Sequence, residues 1–315
     1  MTGPNWDVGA HRNFLRIVQE TWGDEGLAWL DQLPDIISEC EQHWLLEVGQ
    51  PFANLSYNFA APALRADGTE VVLKIGVPRT ELSREIEALR HYDGRGSVRL
   101  VDARPDQGIL LLERLKPGIM LVDLCPTKDD EATEIAASIM RKLWRPVTPD
   151  HNFKKIEAWF EGLVELRREF NGGCGPFPKN FVETTESLYA ELSQSMSEPV
   201  LLHGDLHHYN ILSATREPWL AIDPKGVVGE AAYEVGALLR NPLDVLSWPD
   251  FDQILGRRVA ILAEILDLDQ RRILGWGMAQ AVLSAWWSYE DNDSDWRSML
   301  PIAEHFNNLL SQVYQ

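Results

Sequence analysis

The stretch that most constrains this chain is His203-Gly-Asp-Leu-His-His-Tyr-Asn-Ile-Leu212, because apolar residues enter and leave it in a way that predicts a loop between strands. An apolar run, Val200-Leu-Leu202, leads into it and predicts a strand. After a turn, Trp219-Leu-Ala-Ile222 predicts another. This strand-loop-strand unit brings three oxygen-bearing side chains within reach of one another: Asp205, Asn210 and Asp223.

These three side chains suit phosphoryl transfer, which needs a carboxylate for the attacking hydroxyl and oxygen ligands for Mg²⁺. The spacing from His203 to Asn210 matches the kinase catalytic loop H-R-D-L-x-x-x-N, with Gly204 in place of Arg. Asp205 is therefore predicted to accept the hydroxyl proton. Asn210 and Asp223 are predicted to bind Mg²⁺.

Charge and composition narrow the class of partner. With 29 Lys and Arg against 48 Asp and Glu, the net charge is −19, which argues against nucleic acid and anionic membranes. This charge favours a cationic substrate only weakly, because an acidic balance is also typical of ordinary soluble proteins. The three cysteines are too far apart to form a metal motif or a disulfide framework. The first residues do not resemble a signal peptide, and no run is long enough for a membrane span, so we expect a cytoplasmic protein without an evident protein partner.

The first part of the chain predicts short helices over residues 11–45, broken at Gly23-Asp24 and at Pro34. Strands are then expected on both sides of the hairpin turn Asp67-Gly68. The second of these, Glu70–Ile75, contains Val71-Val-Leu-Lys74, which lines up with the V-A-I-K strand of kinases. Lys74 is therefore predicted to neutralise nucleotide phosphates.

Further nucleotide contacts follow from the same layout. Glu85, on a predicted helix, is the candidate ion-pair partner of Lys74, and Glu81 and Glu87 are competitors. The Gly-rich kinase loop is absent, so Ser56 and backbone N–H groups are expected to cover the phosphates. The carbonyl of Glu113 and the N–H of Leu115, in the link to the second half, are predicted to face adenine.

Taken together, these motifs make the chain resemble the aminoglycoside phosphotransferase family, and within it the streptomycin 6-phosphotransferase and hydroxyurea kinase group. The resemblance rests on Gly49–Asn58, Glu85–Gly94, His203–Leu212, Ile222–Gly226 and Ser284–Trp287. It implies an α+β, bilobal protein-kinase-like fold with an antiparallel-sheet N-lobe and a mainly helical C-lobe. It also implies ATP- and Mg²⁺-dependent phosphorylation of a hydroxyl on a small molecule, with antibiotic inactivation as the outcome. We expect a nucleotide-binding N-lobe over residues 1–113 and a C-lobe with the catalytic loop and acceptor site over residues 114–315.

The acceptor site is expected to be rich in carboxylates, which pair strongly with ammonium or guanidinium groups. The candidates are Glu230, Glu234, Trp287, Glu290 and Asp291, with Asp293 and Asp295 in the same acidic run. An alternative is that the tryptophans are core residues and the acids a solvated helix end. Glu234 has a second interpretation, in which it supports the catalytic loop through the loop backbone.

Four other functions remain open at this stage. One is a nucleotide-binding pseudokinase that serves as a scaffold, against which the intact Lys74, Asp205, Asn210 and Asp223 argue. The acceptor could be hydroxyurea, or an ordinary metabolite such as a sugar or amino alcohol. His203, Asp205 and His207 also form an H-x-D-x-H pattern that could bind zinc in a hydrolase. This last hypothesis leaves Lys74 and Asn210 unexplained. The sequence favours His203 as a buried structural residue, with His207 or His208 exposed near the acceptor.

Overall fold

The computed structural model describes residues 11–291 and 296–313. The chain divides into two compact units. The first comprises Met1–Gly94 and Val98–Leu115, and the second comprises Arg95–Ser97 and Lys116–Gln315.

In its described residues, the first unit contains two α-helices, a short 3-10 helix and a five-stranded antiparallel sheet of order β1-β2-β3-β5-β4. The elements in chain order are α1 (Arg12–Trp44), β1 (Leu46–Val48), β2 (Phe59–Arg65), β3 (Glu70–Ile75), α2 (Thr80–Tyr92), β4 (Leu100–Arg104) and β5 (Ile109–Glu113). The expected turn between β2 and β3 is present. The backbone N–H of Gly68 donates to the Arg65 carbonyl, and Asp67 accepts the N–H of Thr69.

Helix α1 departs in one respect from the sequence prediction of breaks at Gly23 and Pro34. Gly23 does leave the helical conformation, with φ 55° and ψ −131°, but the helix continues through Pro34. Leu33, Ile37 and Cys40 are buried at helical spacing on both sides of that proline. Burying each large apolar side chain is worth roughly 1.5–3 kcal/mol, which offsets the cost of about 3 kcal/mol for an internal proline.

The second unit is mainly helical, as predicted. Its elements in chain order are β6 (Pro117–Met120), α3 (Asp129–Leu143), β7 (Lys154–Lys155), α4 (Ile156–Glu169), α5 (Lys179–Gln194), β8 (Val200–Leu202), β9 (Ile211–Ala214), β10 (Trp219–Ala221), β11 (Val227–Gly229), α6 (Ala231–Leu239), α7 (Phe251–Leu266), α8 (Gln270–Glu290) and α9 (Met299–Val313). Helix α8 is buried on nearly all sides and packs against α5, α6 and α9. Of the helices in the described ranges, none is long and apolar enough to span a bilayer.

Two small sheets position the loop between β8 and β9. One has the order β10-β9-β6, and the other has the order β7-β11-β8. The apolar run β8 therefore pairs with β11, whereas the strand after the loop pairs with β10. The loop is anchored at each end in a different sheet.

Candidate functional site

His203 is the buried support of the loop. Its ring nitrogen Nε2 lies 2.8 Å from the carbonyl oxygen of Ile222, and its Nδ1 accepts the backbone N–H of Asp205. Burial lowers the pKa of His203 to about 4, so the ring is neutral and Nε2 is the donor. Because both nitrogens are engaged, His203 has no nitrogen left for a metal ion. The zinc hypothesis from H-x-D-x-H is therefore wrong.

The glycine of His-Gly-Asp has a local cause. Gly204 has φ +84°, a backbone conformation that disfavours a residue with a side chain. A Cβ at this position would also lie 3.2 Å from the Trp159 ring and from the Lys225 side chain. The arginine of the kinase pattern would therefore be strained at this position.

Glu234, in α6, holds the loop from behind. Its Oε2 accepts the N–H of His203 at 2.6 Å, and its Oε1 accepts the N–H of Gly204 at 2.9 Å. The side chain is buried, and burial raises its pKa to about 7 against the opposing effect of these two hydrogen bonds. Both carboxylate oxygens are therefore engaged in hydrogen bonds within the protein. This geometry matches the loop-support interpretation and not an acceptor contact.

Asp205 remains ionised despite partial burial. Desolvation alone would raise the pKa of its carboxyl group. However, His207, Arg240 and Lys225 together outweigh this effect and lower the pKa to about 2. His207 Nε2 lies 3.6 Å, and an Arg240 Nη2 3.9 Å, from the same oxygen, Oδ1. The Asp205 side chain keeps 31% of its surface exposed, so it remains accessible.

Asn210 and Asp223 are brought side by side by the backbone. Asn210 Nδ2 donates to the carbonyl of Asp205 at 2.9 Å, which fixes the side-chain amide. The Asn210 carbonyl accepts the N–H of Ile222 at 2.9 Å, and Asp223 follows directly in a left-handed conformation with φ 60°. Amide and carboxylate oxygens on adjacent segments are a donor set that fits a hard divalent cation such as Mg²⁺.

In the first unit, Lys74 and Glu85 form a buried ion pair. Lys74 Nζ lies 2.7 Å from Oε1 and 2.8 Å from Oε2 of Glu85. β3 supplies the lysine, and α2 supplies the glutamate from its buried face. The competitors Glu81 and Glu87 are more exposed than Glu85. The pairing selected from the sequence is the one present in the structure.

The other predicted nucleotide residues also lie in the first unit. Ser56 is exposed in the loop between β1 and β2, and the Phe52 N–H closes this loop on the Ala60 carbonyl. Glu113 ends β5, where its backbone N–H donates to the Arg99 carbonyl. Leu115 is buried at the end of this unit.

The predicted acceptor residues separate into two groups. Glu230 is buried, and its carboxylate is paired with Arg272 at 2.5 and 2.6 Å and with the Trp276 indole at 2.8 Å. Like Glu234, it is therefore not placed to contact an acceptor. The sequence expectation for Glu230 and Glu234 is corrected accordingly, because each carboxylate already has internal partners.

The second group is accessible. Trp287 is half-buried, and Glu290 and Asp291 are exposed, whereas the neighbouring Trp286 belongs to the core. Partial burial and the carboxylates of Glu165, Asp291 and Glu169 raise the pKa of Glu290, so these acids lie near one another. Asp293 and Asp295 lie outside the described residues.

Two further residues near Asp205 were not anticipated from the sequence. Trp159, in α4, approaches Gly204, and its ring packs edge-on to Trp287 with centroids 5.8 Å apart. Arg240 lies directly after α6. The available signal for Arg240 was a single cation after an apolar helix, while for Trp159 the sequence offered only an aromatic residue at helical spacing.

His208 is fully buried, contrary to one alternative from the sequence, whereas His207 keeps partial exposure. The His208 ring lies near Cys125 and Asp129, and these three groups could in principle hold a metal ion. However, Arg258 binds both oxygens of Asp129, and burial raises the pKa of Cys125 to about 12. A guanidinium and a neutral thiol oppose cation binding at this cluster.

Comparison with solved structures identifies the fold. The choline kinase LicA from Streptococcus pneumoniae superposes with a TM-score of 0.61 at 14% identity, covering 87% of this chain and 98% of that one. The chain therefore has a protein-kinase-like fold, as predicted. At 14% identity this likeness identifies the fold alone, which has an antiparallel-sheet unit and a mainly helical unit.

The family is identified by sequence. Residues 43–292 match the family described as aminoglycoside/hydroxyurea antibiotic resistance kinase, and the chain belongs to this family. It is 33% identical to a streptomycin 6-kinase from Streptomyces glaucescens over 276 residues, which cover 87% of this chain and 88% of the relative. It is 32% identical to a hydroxyurea phosphotransferase from Kitasatospora aureofaciens over 278 residues, covering 86% and 77%. The predicted family and the predicted enzyme class, a phosphotransferase acting on a small molecule, are confirmed.

Proposed function

We propose that this protein transfers the γ-phosphoryl group of ATP to a hydroxyl of a streptomycin-type aminoglycoside in a Mg²⁺-dependent reaction that inactivates the antibiotic. The supporting observation is the fixed loop of the second unit. It holds an ionised Asp205 next to Asn210 and Asp223. This loop belongs to a chain one third identical to a streptomycin 6-kinase.

The reaction assigns one role to each residue. Asp205 accepts the proton of the acceptor hydroxyl as its oxygen bonds to the γ-phosphorus, while the bond from that phosphorus to the β,γ-bridging oxygen breaks and ADP leaves. Asn210 and Asp223 would hold Mg²⁺, which would supply positive charge against the phosphate oxygens. Lys74, fixed by Glu85, is assigned to the phosphates as well. Ser56 is assigned to covering the phosphates, and the Glu113 carbonyl and Leu115 N–H to the adenine.

The acceptor side is assigned to the half-buried tryptophans and the exposed acids. Trp159 lies against Gly204 and packs edge-on against Trp287, and a guanidinium can stack on such rings. Glu290 and Asp291 add carboxylates for charge-assisted hydrogen bonds to the acceptor. The net charge of −19 also favours a cationic acceptor.

A direct test is an acceptor panel with γ-labelled ATP, containing streptomycin, hydroxyurea, a sugar and an amino alcohol, each run with Mg²⁺ and with chelator. We expect Mg²⁺-dependent transfer to streptomycin, with the 6-phosphate identified by phosphorus NMR. If none of the four acceptors is phosphorylated, the proposal is overturned.

Hydroxyurea is the second candidate, because the hydroxyurea phosphotransferase relative is nearly as similar as the streptomycin kinase. Hydroxyurea is small and uncharged, so it has no cationic group to pair with Glu290. Glu290→Gln should therefore raise KM for streptomycin and leave hydroxyurea turnover unchanged. Equal effects on both acceptors would remove Glu290 from the acceptor site.

A further inference from the structure

We propose that Arg240 is a positioning residue for phosphoryl transfer: held by Gln280, its guanidinium fixes one oxygen of the Asp205 carboxylate and leaves the other for the acceptor hydroxyl. This inference rests on the proposed function. It adds a residue that lies 35 positions after Asp205 in the sequence.

The guanidinium of Arg240 is held in place before any substrate binds. Its Nη1 donates to Oε1 of Gln280 at 2.8 Å, and its side chain is only 14% exposed. Gln280 is itself buried in α8, and its Nε2 donates to the carbonyl oxygen of Tyr233. An arginine side chain loses about 2 kcal/mol of rotamer entropy when it is fixed, and here that loss occurs on folding.

The packing around Gln280 is adapted to this arrangement. A Cβ added to Gly236 would lie 2.6 Å from Cδ of Gln280. Glycine at position 236 therefore gives Gln280 the space from which it reaches Arg240. The two helices α6 and α8 together determine where the guanidinium lies.

The charged neighbours of Asp205 are arranged unequally. Arg240 and His207 both approach Oδ1, at 3.9 and 3.6 Å. The 3.9 Å separation from Arg240 is longer than a hydrogen bond, so the guanidinium attracts Oδ1 through its positive charge. In a loose transition state the nucleophile must mainly be oriented. Holding Oδ1 therefore presents Oδ2 to the hydroxyl.

The test compares Arg240→Met and Arg240→Lys with Arg272→Met. Arg272 is a matched control because it is also mostly buried in the same unit and is paired with Glu230. For each variant, kcat, KM for ATP, KM for the acceptor and the thermal unfolding midpoint are measured. We expect Arg240→Met to lower kcat about 30- to 100-fold, as for a misplaced reacting group, with KM for ATP within about threefold.

Two variants separate positioning from folding. Arg240→Lys should recover part of the lost kcat because a cation remains near Oδ1. Gln280→Met keeps the arginine but releases it, so kcat should fall about 5- to 10-fold while the unfolding midpoint shifts no more than in Arg272→Met.

Several results would overturn the proposal. One is a kcat of Arg240→Met equal to that of Arg272→Met. Another is an Arg240→Met variant in which the main change is a higher KM for ATP and not a lower kcat. If Arg240→Met does not fold, Gln280→Met and Arg240→Lys decide, and wild-type kcat in Gln280→Met refutes the role. A wild-type chain inactive on every acceptor overturns both proposals, whereas an active Arg240→Met overturns only this one.

Discussion

The carboxylate of Glu234 accepts the backbone N–H of Gly204 at 2.9 Å, so a side chain in α6 is bonded directly to the residue before Asp205. The second oxygen of the same carboxylate accepts the N–H of His203. Glu234 is 2% exposed, so water does not compete for these bonds. The position of Asp205 therefore depends on a residue with no role in the chemistry itself.

Replacing Glu234 by glutamine should weaken both stability and turnover. The amide of glutamine has only one acceptor oxygen, so one of the two N–H groups loses its partner. Leaving a buried donor unpaired costs about 1–3 kcal/mol. The free energy of unfolding in urea and kcat of Glu234→Gln measure the two effects. Glu186→Gln is the control: it weakens a more exposed pair with Arg167, and its loss of unfolding free energy should be less than about 1 kcal/mol. Equal effects in the two variants would contradict the role of Glu234.

The same carboxyl group should make stability depend on pH. Burial raises its folded pKa from 4.5 to about 7, so the folded chain binds the proton more tightly than the unfolded chain does. Its contribution to stability is fully present below about pH 4.5 and is lost as the pH rises through about 7, by up to about 3 kcal/mol. The free energy of unfolding of the wild type, compared with that of Glu234→Gln, should decrease across this window. Parallel curves for the two proteins would refute the shift.

The buried Lys74–Glu85 pair should matter for both nucleotide binding and folding. Lys74→Met removes the ammonium assigned to the phosphates, and it leaves Glu85 buried without that partner at 2.7 Å. Breaking such a pair costs about 3–5 kcal/mol, and KM for ATP should rise. Lys142→Met, which breaks the more exposed pair with Glu217, is the control and should cost less than about 1 kcal/mol. Unchanged ATP affinity in Lys74→Met would exclude the assigned role.

The tryptophan pair should act on the acceptor alone. Trp287→Ala should raise KM for streptomycin about tenfold, because one stacking contact with a cation is worth roughly 1–2 kcal/mol, and KM for ATP should not change. Trp296→Ala provides the control, since Trp296 is buried with Phe177 and Tyr289 in the hydrophobic cluster on which Trp287 also packs, so it reports the structural effect of removing a tryptophan there. If both variants change acceptor KM equally, the effect is structural.

The parts of the site that could be predicted lie close together in sequence. Asp205 and Asn210 share one loop, and Asp223 follows after a single hairpin, so local strand and turn signals place all three. The pairing of Lys74 with Glu85 follows from a strand and the next helix. In each case short-range geometry decides which side chains meet.

The parts that could not be predicted depend on helix packing. Arg240 meets Gln280 only because α6 packs on α8, and the spacing within either helix does not specify this contact. The charge of Glu230 and Glu234 predicts acceptor contacts, with loop support as the second interpretation of Glu234. Both side chains are instead buried with internal partners: Glu230 pairs with Arg272, and Glu234 accepts N–H groups of the loop backbone.

The most direct measurement is acceptor-dependent phosphate transfer by Asp205→Ala, with nucleotide and acceptor binding measured separately on the same protein. We expect binding of both ligands to remain and kcat to fall by about 10²- to 10⁴-fold, the usual contribution of a positioned general base. Wild-type transfer rates in this variant would contradict the assignment of Asp205 as the residue that takes the hydroxyl proton.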